Sequence, residues 1–184
     1  MKCIPYMLML FFSTYGCLAQ GQNQPDTLFY DSGDMKAIGA MLGGEKHGLW
    51  RYFYPNGNRN AELEFHQGKL HGFQRYYDQD GNLSGEENWE NDLQQDTTKN
   101  YYADGTVRRK GVFHQGVYEG LWIYYYPNGE KQQVGAYKDG LPHGDWSFYY
   151  ENGDLKQTGK YQEGEMVGKW YFYDEKGKVR KRRY

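Results

Sequence analysis

Cysteine is nearly absent from this 184-residue chain, and its two copies, Cys3 and Cys17, both lie in the first segment. The rest of the chain has no thiol, which excludes structural disulfides, cysteine-based zinc sites and a cysteine nucleophile together. Aliphatic residues are scarce as well. Leu, Ile, Val and Phe number 31 of 184, too few for the cores of helical bundles or doubly wound α/β enzymes. No charge sign dominates, the formal net charge being −2, so self-repelling disorder does not explain the low aliphatic count. No apolar run is long enough to cross a bilayer as a helix. Neither a phosphate-binding Gly-rich loop ending in Lys-Ser or Lys-Thr nor a Gly-x-Ser-x-Gly elbow occurs. Carboxylates are plentiful, but no acid–base pair stands apart from the rest, and the chain reads as a non-enzyme without cofactor.

What the chain has is rings and glycine. Twenty Tyr, 9 Phe and 5 Trp accompany 25 Gly. Before them comes a segment with one positive charge, Lys2, an apolar stretch from Cys3 to Phe12 and small residues up to Ala19. These are the parts of a secretory signal, and the expected address is the periplasm, the cell envelope or the exterior. Two processing outcomes fit. Cleavage after Ala19 leaves Gln20 first, whereas Gly16-Cys17 fits a lipoprotein junction anchored through Cys17. The expected organisation is a signal over 1–19, a short linker over 20–27 and an array over 28–184.

The array is periodic. Gly33, Gly57, Gly81, Gly105, Gly129, Gly153 and Gly177 follow one another at 24-residue steps. Gly48, Gly72, Gly120, Gly144 and Gly168 keep the same step, interrupted by Asp96. Gly44, Gly68, Gly116, Gly140 and Gly164 do so around Asp92, and Trp50, Trp122, Trp146 and Trp170 around Gln74 and Thr98. A ring column runs Phe65, Trp89, Phe113, Tyr137 and Tyr161. Each unit reads as two strands. Asn-Gly and Asp-Gly supply tight hairpin turns, and pairs such as Glu163-Gly164 supply a longer turn between units. Alternation puts Trp146 and Phe148 on one face, Ser147 and Tyr149 on the other. Gly39, Gly111, Gly135 and Gly159 form an in-strand column, with Leu63 and Glu87 as exceptions. A ring from the next strand is expected to lie over each bare glycine. The fold class is therefore all-β, an elongated antiparallel meander of 24-residue hairpins, about six to seven units and on the order of 60 Å long.

The segment from Tyr137 to Gly153 carries Tyr-x-x-Gly-x-x-x-Gly-x-Trp-x-x-Tyr-Tyr-x-x-Gly, and the same register fits Phe65–Gly81, Phe113–Gly129 and Tyr161–Gly177. This phased pattern resembles the MORN repeat in its bacterial variant form. The resemblance implies β-hairpin arrays that mediate protein contacts, dimerise or associate with lipid head groups. Similar bacterial proteins are often labelled antitoxin components of toxin–antitoxin pairs, a cytosolic role at odds with a signal segment.

Candidate contacts follow from exposure and charge. Tyr125, Tyr149, Trp122, Trp146 and Trp170 are the candidate partner-binding rings, since Tyr and Trp are favoured anchors of interfaces. Lys178, Arg180, Lys181, Arg182 and Arg183 are the candidate anionic contacts. Residues 175–184 hold six Lys/Arg against one Glu, while residues 20–174 carry a charge of −8. The expected partner is a protein, with glycan or anionic lipid as alternatives and self-association through sheet edges open. An acidic, exported body argues against nucleic acid. The five histidines fall into two columns, His47, His71 and His143, then His66 and His114. Equivalent positions two strands apart stand ~10 Å apart, too far for one zinc ion, so no metal is expected. The unit from Asp92 to Tyr102, stripped of Trp and two glycines, is expected to pack less well and to kink, or else it is simple repeat decay.

Overall fold

The computed structural model describes residues 24–184; the signal segment and the Cys17 alternative lie outside them. The strands are β1 (Gln24–Phe29), β2 (Met35–Leu42), β3 (Glu45–Phe53), β4 (Arg59–His66), β5 (Lys69–Leu70), β6 (Gly72–Tyr77), β7 (Leu83–Glu90) and β8 (Leu93–Tyr101). They continue as β9 (Val107–His114), β10 (Val117–Tyr125), β11 (Lys131–Lys138), β12 (Leu141–Tyr149), β13 (Leu155–Gln162), β14 (Glu165–Tyr173) and β15 (Val179–Arg183). All belong to one antiparallel sheet in chain order, with β5 a short stub that pairs β4 just ahead of β6. The all-β meander of hairpins is as the repeat implies. One boundary moves. β1 pairs β2 from Gln24↔Met41 onward, so the array starts before Leu28, inside the segment read as a linker. Gln24 to Thr27 has no alternating apolar pattern, because an edge strand needs only backbone partners on one side.

The two turns exchange the roles read from sequence. Asp139-Gly140, with φ of 52° and 80°, joins β11 to β12 in two residues, and Glu163-Gly164 does the same with 52° and 84°. Positive φ at both positions is the signature of a type I′ turn. The Asn-Gly connections are the longer ones. Residues 150–154 separate β12 from β13, with the Gly153 amide donating to Tyr150 O at 2.9 Å. There the Asn152 carboxamide oxygen accepts from the Asp154 amide at 3.0 Å, the Asx arrangement that replaces a second positive-φ residue.

Each internal unit shifts register twice, once beside the five-residue turn and once at a bulge further along the strands. On β12, Gly144, Asp145 and Trp146 stand against Gly135 alone, because the register jumps from Ala136↔His143 to Val134↔Ser147. Gly144 takes φ of 73° to start the bulge. The bulge swings Trp146 back over Gly135, where an added Cβ would lie 2.0 Å from the indole. The indole N–H then donates to Ala136 O at 3.1 Å, satisfying a carbonyl that the bulge takes out of the ladder. Trp50 on Gly39, Trp122 on Gly111 and Trp170 on Gly159 repeat the contact, with indole bonds of 2.9, 3.1 and 3.1 Å.

The core is therefore built around one column, with Ala37, Ala61 and Phe113 buried beside it. Trp50, Gln74, Thr98, Trp122, Trp146 and Trp170 are all buried, at one position per unit. Gln74 replaces an indole by gripping the Glu64 backbone, accepting from its amide at 2.7 Å and donating to its carbonyl at 3.2 Å. Being smaller than Trp, it allows Leu63 where other units have glycine. Thr98 leaves more room, and Glu87 occupies it, accepting from Trp89 Nε1 at 2.9 Å. The unit around Asp92 does not kink. Its pairing of Thr98 with Gly111 matches that of Trp122 with Gly135. Asp92 and Asp96 adopt φ of 67° and 58° in place of the missing glycines.

Successive units are tied at both margins. The type I′ turns stack, as Gly140 N donates to Tyr118 O at 3.0 Å and Gly164 N to Pro142 O at 3.1 Å. On the other margin Tyr30, Tyr54, Tyr102, Tyr126 and Tyr150 each donate a hydroxyl to the carbonyl 23 residues later, at 2.7–2.9 Å. Asp78 breaks this ladder.

Candidate interaction surfaces

A one-layer sheet has two faces, and the repeat makes them chemically different. The tryptophan face is an aromatic herringbone. Phe113, Trp122, Tyr137, Trp146, Tyr161 and Trp170 meet edge to face in sequence, with centroids 5.0–6.1 Å apart and interplanar angles of 77–89°. Such contacts add about 0.5–1.5 kcal/mol per pair beyond area burial. Here the structure corrects the sequence reading. Trp122, Trp146 and Trp170 are 0%, 3% and 0% exposed, so they cannot act as partner-binding rings. Each is used up in covering a glycine and filling a carbonyl. Their repetition was visible in the sequence, but repetition alone does not tell core from platform.

The opposite face carries the other candidates. Alternation along each tryptophan-bearing strand brings Phe53, Tyr77, Tyr101, Tyr125, Tyr149 and Tyr173 into one half-buried row. Beside it the cross-strand pairing runs Arg51, Glu62, Arg75, Glu86, Lys99, Lys110, then Ile123, Val134, Ser147, Thr158, Tyr171. The face thus divides in two. In the first half, Glu62 lies 3.0–3.8 Å from Arg51, Arg59 and Arg75, and Arg75 lies 3.6 Å from Glu86. Tyr77 and Tyr101 are bound into that ladder, donating to Glu62 at 3.3 Å and to Glu86 at 2.6 Å. Burial, and then the Glu86 carboxylate, push the Tyr101 hydroxyl up to about 12.

In the second half the row itself has no charged member, with Lys110 at its near end, 5.8 Å from the Tyr125 ring centre, and the Asp145–Lys160 pair beside it at 3.7 Å. Tyr125 and Tyr149 flank Ile123, Val134 and Ser147, and Leu121 (58% exposed) and Val112 project from the same face. Among the described residues neither the Tyr125 nor the Tyr149 hydroxyl has a hydrogen-bond partner. The candidate tyrosines therefore sit in the one stretch of this row where rings, aliphatics and unused hydroxyls come together. Leu121 and Val112 were missed in the sequence, because a lone aliphatic on a wet face carries no repeat signal.

The candidate basic residues all lie at the C-terminal edge. Lys178, Arg180, Lys181, Arg182 and Arg183 are exposed. The last hairpin lacks the register shift of the internal ones, so Trp170 pairs with Arg182 rather than with Arg183, its 24-residue counterpart. That slip puts Arg182 on the tryptophan face, 5.5 Å from the Phe172 ring centre. Arg183 instead borders an open cleft of about 480 Å³ with Asp145, Lys160, Lys169 and Tyr171.

The two histidine columns meet in the fold. Spacing within a column left out the other column: His66 stands between His47 and His71, with ring centres 5.4 and 5.7 Å away. His47 Nδ1 is buried without a partner. Among the described residues no three His, Asp or Glu side chains are placed to hold one metal ion.

A family model described as a MORN repeat variant matches residues 46–67, 70–91, 118–139, 142–163 and 166–184. Repeats of this kind are generally protein- or membrane-interaction modules and typically non-catalytic. No curated protein matches the sequence. Among solved structures, a chain from the crystal structure of the GtfA/B complex bound to UDP and GlcNAc matches 62% of this chain at 16% identity, with a TM-score of 0.27. This chain spans 22% of the length of that one.

Proposed function

The chain belongs to the MORN repeat variant family, and from that membership we propose that it is an exported, non-catalytic scaffold whose Tyr125–Tyr149 stretch holds a protein partner. One observation carries the reading. Tyr125 and Tyr149 offer hydroxyls unpartnered among the described residues beside Leu121, Ile123 and Val134, while the equivalent Tyr77 and Tyr101 are engaged by their own carboxylates. Rings with an apolar body and a free polar tip are favoured at the centre of protein interfaces. Replacing Tyr125 and Tyr149 with Ser is expected to abolish capture of the native partner while circular dichroism stays that of the parent. Capture that survives the double substitution overturns the reading. Glycan arrays are expected to stay blank.

The C-terminal edge favours a second reading, adhesion to anionic lipid, because Lys178, Arg180, Lys181, Arg182 and Arg183 are all exposed together. Liposome binding that vanishes when residues 178–183 are deleted supports it. Mass spectrometry of the cellular protein tests the address. A first residue of Gln20 or an acylated Cys17 fits export, whereas an uncleaved cytosolic chain favours the antitoxin-type role.

A further inference from the structure

Every internal junction between a glycine-bearing strand and the tryptophan-bearing strand after it uses one matched pair in the core column: Gly39 under Trp50, Leu63 by Gln74, Glu87 by Thr98, then Gly under Trp three times. Among the described residues, the two ends of the array are the two halves of one more junction. β1 has the phase of a tryptophan-bearing strand, and its core-column residue, 24 before Trp50, is Asp26, which pairs with Gly39 as Trp50 pairs with Leu63. β15 has the place of a glycine-bearing strand, and the residue set opposite Trp170 is Arg182. The missing half of each edge is of the type the other edge supplies, and the pair it would bring together is Arg with Asp.

The surrounding charge agrees. Residues 24–34 contain Asp26, Asp31 and Asp34 and no Lys or Arg, whereas residues 176–183 contain six Lys/Arg and no acid. β15 against β15, or β1 against β1, sets like charges together. β15 against β1 sets opposite ones.

We propose that a second copy of this chain docks head to tail on the first, β15 of one against β1 of the next, with Arg182 meeting Asp26 across the junction. Carrying the internal register of Gln157↔Phe172 and Thr158↔Tyr171 across the gap pairs Arg180 with Leu28 and Lys181 with Thr27. The contact is heterologous, so each added copy leaves one edge of either kind open and the assembly grows as a chain. The junction is independent of what the Tyr125–Tyr149 stretch binds.

Sedimentation and light scattering of the purified full chain test this. In low salt the weight-average mass is expected to climb steadily with concentration past that of a dimer. Salt near 1 M, where screening acts within ~3 Å, is expected to return it to a single chain. Asp26→Arg and Arg182→Asp, each checked for unchanged circular dichroism, are expected to leave single chains when studied alone. An equimolar mixture of the two is expected to assemble again, because each junction then regains one acid and one base. A chain that stays monomeric throughout overturns the proposal. So do a dimer that grows no further, association that ignores salt, and a mixture that fails to recover.

Discussion

The smallest decisive contact is a ring on a bare backbone. At Gly135 a methyl group would lie 2.0 Å from the Trp146 indole, and the ring has no free direction because its N–H is bonded to Ala136 O. Gly135→Ala is therefore expected to lower stability by about 2–3 kcal/mol, in the range for overpacked cores, read as a shift in the urea midpoint. Tyrosine ionisation supplies a second prediction at this scale. Tyr76, Tyr101, Tyr124 and Tyr161 are all pushed up, first by burial, Tyr101 to about 12 from 10.0. A phenol raised in the folded state gives its full stability below the unfolded value, and loses it as pH climbs from about 10 through about 12. Alkaline titration is expected to show a late group of phenolates that ionise together with loss of the sheet signal. Tyr101→Phe is expected to cost stability at neutral pH and to cost little above its pKa, where the Glu86 bond is already gone.

At the scale of the hairpin, the exceptions in the two columns are paired. Leu63 accompanies Gln74 and Glu87 accompanies Thr98, each 11 residues apart, as Gly39 and Trp50 are. Gln74→Trp alone is expected to destabilise, because the indole meets Leu63. Gln74→Trp with Leu63→Gly is expected to recover most of the loss, and a double-mutant cycle should read a coupling of about 1–3 kcal/mol. These pairs show where the sequence was legible. The 24-residue phase gave the strands, their faces and the ring over each glycine. It did not give the bulge, because Gly144 and Gly153 look alike in a sequence, though one opens a three-for-one mismatch and the other closes a turn. Without the bulge, the tryptophans look like an outward row. Tyr125 and Tyr149 could be singled out as rings, but their difference from Tyr77 and Tyr101 depends on carboxylates of neighbouring strands.

Across the whole molecule, packing is uneven. The edge-to-face run covers Phe113 to Trp170 without a gap, whereas Gln74 and Thr98 interrupt the column before it and Asp78 interrupts the tyrosine ladder. Because stability in stacked repeats sums over nearest neighbours, hydrogen exchange is expected to be slowest in β10–β13 and distinctly faster in β7 and β8. Uniform protection from β2 to β14 would contradict this account.

The stacked two-residue turns have a consequence for how such a chain can change its length. Gly140 is bonded to the turn before it through Tyr118 O, and Gly164 to the turn before it through Pro142 O. One inserted residue at any of these corners would throw two neighbouring corners out of step, and no loop is present there to absorb it. Whole copies can be gained or lost, because every seam offers the same mate. Lengthening and shortening are thus quantised, each step moving the far end by about 9.6 Å, two strand widths. The array behaves as a ruler, with graduations set by the corners and what it can grasp written on the bars between them.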